Sequence, residues 1–186
     1  MADGIFYNDT REPCIVADLP NITLANTAKA LYSASAFPVL GGQYFARPGR
    51  KLKIRLAGKL TTGATPGNGS FDIYYGTGAD ANGVVLASSA ALALSVNQTT
   101  VTWWLELYIR CITTGSAGTL RAIGMAHFNV NVLASTLQPM MIPAATSVDS
   151  AAVDLTASLI PSVQFKRSGS TGEIMTVQDM EVIAMN

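Results

Sequence analysis

Residues 100–130 read TVTWWLELYIRCITTGSAGTLRAIGMAHFNV, and the fold follows from how this stretch alternates. In its first half Val101, Trp103, Leu105, Leu107, Ile109 and Cys111 recur at every second position, the period that sends side chains to one face of a strand. Thr102, Trp104, Glu106, Tyr108 and Arg110 take the other face. A slip of one residue would bury Glu106 and Arg110, so the register is well specified. Beyond Gly115-Ser116-Ala117-Gly118 the period resumes in Leu120, Ala122, Gly124, Ala126, Phe128 and Val130. This predicts a long hairpin over residues 103–130 with a four-residue loop. Its apolar face requires a second sheet to cover it.

Working outward, residues 51–60 alternate most cleanly: Leu52, Ile54, Leu56 and Leu60 point in, while Lys51, Lys53, Arg55 and Lys59 point out. Such a basic stripe protects a solvent-facing or edge strand; it also suits a phosphate or an acidic neighbouring subunit. The balanced charge of the chain speaks against specific nucleic-acid binding. Arg47-Pro48-Gly49-Arg50 places proline at the second position of a turn. Residues 21–35 are spaced for two short strands or one bulged strand. Residues 70–76 form a strand with Phe71, Ile73 and Tyr75 inward. The glycine-rich stretch 76–83 lacks both the Lys-Ser/Thr of a P-loop and GxGxxG, so it is a hairpin or crossover loop. Residues 84–96 are assigned to strand on the alternation of Leu92, Leu94 and Val96, against the helical preference of their alanines.

On the C-terminal side, 133–146 is irregular around Pro139, Met140, Met141 and Pro143. Residues 150–160 read as a strand through Ala151, Val153, Leu155, Ala157 and Leu159, and Val163-Gln164-Phe165 leads to a turn at 168–172. In 173–185 the apolar parity changes between Met175/Val177 and Met180/Val182/Ala184, which predicts a bulge near Gln178-Asp179. With eight or more strands and no helix, the expected fold is all-β, a two-sheet antiparallel β-sandwich. Residues 1–20, irregular around Pro13 and Pro20, are expected to be an N-terminal arm or extension, and 21–186 a single sandwich domain.

A chain of 186 residues suits one domain. Only 13% of the residues are charged and the net charge is zero, against ~25% charged in ordinary soluble domains. That surface fits a subunit of an assembly. There is no apolar run long enough for a membrane span, and the start, MADGIFYNDTREP, has no signal-peptide pattern, so no membrane is expected and synthesis is placed in a cytoplasm. Cys14 and Cys111 are far apart and no disulfide is expected; Cys111 belongs to a buried face.

Catalysis has little to work with. His127 is the only histidine, there is no Cys/His cluster, the acids are scattered, and neither a DxDxDG run nor GxSxG occurs. No catalytic residue, cofactor or metal is therefore expected. The two tryptophans fall on opposite faces: Trp103 is read as inter-sheet packing, and Trp104, beside Tyr108, as a subunit interface. Met140 and Met141, between prolines, are read as an adaptable part of that interface. The competing reading is a glycan or partner contact, using Trp104 and Tyr108 or the loop residues Asp80 and Asn82.

The run WWLELYIRCITTGSAGTLRAIGMAHF resembles a hairpin that recurs in jelly-roll structural proteins of tailed bacteriophages, with a Trp-led strand, an acidic/Arg alternation and a Gly-Ser-x-Gly turn. Ser147-Val148-Asp149 and the final Glu181-Val182-Ile183 are similar to the C-terminal part of such domains, and the resemblance spans about residues 50–186. It implies an eight-stranded jelly roll, often trimeric in the manner of tumour-necrosis-factor-like domains, found in head decoration proteins, head fibres and tail-associated proteins. The implied function is a non-enzymatic virion structural protein, a head decoration (cement) protein that forms a homotrimer and binds the major capsid protein of the shell. The location would be the virion, at the head surface, after assembly in the host cytoplasm. The alternative is a tail- or fibre-associated domain that binds a receptor glycan.

Overall fold

The computed structural model describes residues 11–13, 17–38, 44–129, 139–169 and 172–185. Cys14, Val130, the other residues of 1–10, 14–16 and 130–138, and part of the turn expected at 168–172 lie outside them. In chain order the strands are β1 (Arg11–Pro13), β2 (Ile22–Thr23), β3 (Lys29–Ala30), β4 (Lys51–Thr61), β5 (Asn68–Gly76), β6 (Val84–Ser88), β7 (Leu92–Ala93), β8 (Val101–Thr113), β9 (Thr119–Phe128), β10 (Met140–Ile142), β11 (Ile160–Arg167) and β12 (Ile174–Met185). A single 3-10 turn, Ala34–Ala36, is the only helical element among the described residues.

Two antiparallel sheets result. The larger runs β1-β12-β4-β8-β9-β10, with β2 also on β12; the smaller runs β3-β11-β5-β6, with β7 also on β5. The sheets bury one continuous core in a sandwich-like arrangement, and the face of β8 singled out by its alternation supplies the centre of it: Trp103, Leu105, Leu107, Ile109 and Cys111 are at most 1% exposed. Phe71 of the smaller sheet meets Trp103 at 6.0 Å, Phe128 at 5.8 Å and Phe165 at 4.8 Å between ring centroids. The first two contacts join the sheets across the core, and the third packs neighbouring strands of the smaller sheet. Burial raises the Cys111 thiol pKa and pushes the Tyr75 phenol up to about 12, so neither ionises near neutrality.

The hairpin forms, β8 pairing with β9 from Trp103 opposite Phe128 to Thr113 opposite Thr119, but with a register shift between Cys111 and Thr113 and five residues, 114–118, between the strands where four were expected. The register of β12 on β4 shifts between Val177 and Asp179, where the parity change placed a bulge. Gly58 sits opposite Val177, and a Cβ there would lie 1.9 Å from the Thr176 carbonyl oxygen, so the bulge requires glycine. Residues 21–35 supply two short strands, β2 and β3, one to each sheet. Within residues 84–96 only β6 and β7 are strand, and Val96 enters a turn.

Residues 150–160 depart from expectation. Apart from Ile160, which opens β11, they form no strand beyond a single bridge between Val153 and Gly118. Val153 and Leu155 are buried, but their amides donate to Gly118 O at 2.8 Å and Gly115 O at 3.1 Å, so the segment plugs the tip of the hairpin. The cause is local: the Asp154 carboxylate accepts hydrogen bonds from the Thr156 amide and hydroxyl at 2.8 and 2.6 Å, a turn that competes with strand pairing. The described parts of the expected arm lie along this same sheet: β1 pairs with residues 181–183, and the Leu19 amide donates to Val177 O at 2.9 Å.

Candidate functional site

The outer face of the larger sheet can be built from its register. Three rows cross β4, β8 and β9: Ala57–Trp104–His127, Arg55–Glu106–Met125 and Lys53–Tyr108–Ile123, and Met141 of β10 stands opposite Met125. Strand alternation places these side chains together because the core takes every other residue. Trp104, Ile123 and Met141 are 40, 46 and 49% exposed, an unusual concentration of large apolar groups on one outer face. Trp104 and His127 stack with centroids 4.6 Å apart and planes at 14°. The centre of this face is therefore aromatic and thioether, the chemistry enriched at protein interfaces.

Beside the apolar rows lies a charge network. Lys53 Nζ is 2.8 Å from Glu106 Oε2, Arg55 reaches Glu106 at 3.6 Å and Glu181 at 3.3 Å, and the Tyr108 hydroxyl donates to Glu106 Oε1 at 2.8 Å. Two of the four cations on β4, Lys53 and Arg55, are thus balanced by acids of β8 and β12, and β4 is an interior strand whose outer face meets solvent. The hydrogen-bonded Lys53 ammonium, with Tyr108 and Arg55, holds the Glu106 carboxyl below its usual range. Glu106 in turn raises the Lys53 pKa.

The sign follows from linkage. Glu106 adds stability above the unfolded carboxylate pKa, and this is lost as pH falls through its lower folded value; Lys53 loses its share only above the ordinary lysine range. In urea unfolding between about pH 5 and about pH 3, wild type is expected to lose more stability than Glu106→Gln. Equal acid slopes would show that the network contributes nothing.

The expected interface residues do not all meet. Trp104, Tyr108 and Met141 share the face, but Met140 is only 4% exposed. Adjacent strand residues point opposite ways, so Met140 fills the core and Met141 alone presents its thioether outward. Ile123, Met125 and His127 belong to the same face, and the parity of β9 was the signal that placed them there. His127 is half-buried against Trp104.

Asp80 and Asn82 are elsewhere, in the β5–β6 loop. Asp80 pairs with Lys29 Nζ at 2.8 Å and accepts from the Ala30 amide at 2.8 Å. Burial pushes its pKa up, but Lys29 and the Ala30 amide together bring it below the usual value. Asn82 Oδ1 accepts from the Thr77 hydroxyl at 2.9 Å. Gln164 anchors the same loop, donating to Ala79 O at 2.9 Å and accepting from the Ala81 amide at 2.7 Å. Asp80 and Gln164 therefore fix the loop onto the smaller sheet, and Asn82 braces it internally. A groove of about 460 Å³ runs beside it, walled by Leu19, Ile22, Leu31 and Tyr32. Among the described residues no group of three His, Cys, Asp or Glu side chains is placed to hold a metal ion. Neither a protein-family model nor a curated protein sequence matches this chain.

Proposed function

We propose that this chain is a non-enzymatic structural subunit of a tailed-phage virion, a jelly roll that assembles as a homotrimer and decorates the head shell. The observation that supports it is the order of strand pairing. Take the eight strands β2, β3, β4, β5, β6, β8, β11 and β12: the first pairs with the last, the second with the seventh, the third with the sixth, and the fourth with the fifth. A ribbon paired in this way and rolled into two sheets is the wiring of a jelly roll, an architecture of viral capsid domains. β1, β7, β9 and β10 are additions to it. Fold analogy alone does not give function, so the reading also rests on the low charge of the chain and its exposed apolar face. The implied partners are further copies of the chain and the major capsid protein.

The test is co-sedimentation with purified empty heads, on protein whose native mass has been measured by light scattering. A trimer that pellets with heads is the expected result. A protein that remains in the supernatant at saturating heads would overturn the decoration role.

A second reading, a tail or fibre domain that binds a cell-surface glycan, is favoured by the exposed Trp104–His127 stack, since sugars pack on aromatic faces. It requires that Trp104→Ala abolish adsorption to host cells while the native mass stays unchanged. Asp80, paired with β3, and Asn82, engaged with its own loop, contribute less to it.

A further inference from the structure

The structure assigns the outer face of β4, β8, β9 and β10 as the surface on which a second copy of this chain docks; the inference rests on the self-assembly part of the proposal above and names its contact. The centre of the face is the apolar group Trp104, Tyr108, Ile123, Met125 and Met141. What identifies the occupant is charge. Most ionic groups around the patch are paired within the subunit: Lys53 and Arg55 with Glu106, Arg55 with Glu181, Arg121 with Asp149 at 2.7 Å, and Lys59 with Asp18 at 3.6 Å. The exceptions sit at its two ends. Lys51 and Arg110, opposite each other on β4 and β8, have no acidic partner among the described residues, and Asp179, opposite Ala57, has no basic one.

Lys51 and Ala57 are six residues apart on one strand, about 20 Å at strand rise. One end of the face is therefore cationic, the other anionic, and the middle apolar. A uniformly acidic or basic partner would meet a like charge at one end, whereas a second copy carries both complements. The Lys51/Arg110 end of one subunit meets the Asp179 end of the next, in a closed pair or in a ring of three.

The test uses native mass and its concentration dependence, by light scattering and sedimentation, on the full chain. Ile123→Asp is expected to give monomers with an unchanged strand spectrum and unfolding midpoint, while Val85→Asp, at an equally exposed position on β6 of the smaller sheet, keeps the wild-type mass. Arg110→Glu and Asp179→Arg are each expected to weaken association about tenfold, and the double variant, which exchanges the two ends, recovers most of it. That recovery is what a merely damaged surface would not show. A wild-type oligomer that Ile123→Asp leaves intact overturns this face but not self-assembly. A wild type that stays monomeric overturns both, and if Ile123→Asp then abolishes co-sedimentation with heads, the face belongs to the shell and not to a second copy.

Discussion

Trp103→Ala is expected to lower the unfolding free energy by about 3–5 kcal/mol, the range for removing a large buried aromatic, whereas Trp104→Ala, one residue away, is expected to change it by about 1 kcal/mol or less. Urea unfolding followed by far-UV circular dichroism measures both. Trp103 is fully buried and spans the gap between the sheets to Phe71, with Phe128 and Phe165 around the same ring. Its removal leaves a cavity at the point where the two halves of the core interlock, and the close-packed strands on either side cannot collapse to fill it. Trp104 contacts His127 and water instead. Its loss is expected to appear in native mass, as weakened association. If Trp104→Ala destabilised the monomer as much as Trp103→Ala, the outer face would be part of the folding core and its role as a docking surface would fall.

The contrast between these neighbours is readable in the sequence, because strand alternation is a strict rule and one polar face fixes the parity of the whole strand. The same rule located the bulge in β12, where Met175 and Val177 fall out of step with Met180 and Val182. It failed over residues 150–160 because alternation there records which side chains are buried, not what the backbone pairs with. Val153 and Leu155 do enter the core, but Asp154 and Thr156 tie the intervening backbone into a turn. Short segments with a side chain able to hydrogen-bond their own backbone carry two competing instructions, and the turn won.

The candidate face was only half legible. Trp104 and Tyr108 follow from the parity of one strand, and Ile123 and Met125 from its hairpin partner, since a short loop fixes the register between them. Met141 required knowing that β10 pairs with β9, a contact made after an intervening stretch that no local pattern constrains. The pairing of Lys53 and Arg55 with Glu106 and Glu181 was hidden for the same reason: β4 lies far in sequence from both β8 and β12. Long-range pairing decides which charges are satisfied at home, and so which remain for a partner.

Arg167→Ala is expected to cost about 3–5 kcal/mol, as breaking a buried ion pair from one side does. Arg167 closes β11 and Glu173 stands immediately before β12, so the pair joins the two sheets where the chain crosses between them. Nε of Arg167 lies 2.7 Å from Glu173 Oε2, and both side chains are almost completely buried. Among the described residues the Glu173 oxygens have no aligned hydrogen-bond donor, so the contact is a close pairing of charges, and Arg167 supplies the compensation they provide. The guanidinium has further partners: it donates to Leu24 O at 3.2 and 3.1 Å and to Gly169 O. Those carbonyls belong to the exit from β2 and to the turn after β11, which makes one side chain the fastening between β2, β11 and the start of β12. Glu173→Gln, which leaves the guanidinium its carbonyl acceptors, is expected to cost less than Arg167→Ala. In the double variant Arg167→Ala/Glu173→Gln no buried anion remains, so it is expected to be more stable than Arg167→Ala alone, a coupling that urea unfolding of the four proteins measures. Additive losses would mean that the arginine acts only through the carbonyls of Leu24 and Gly169, and that the ion pair itself contributes nothing to closing the fold.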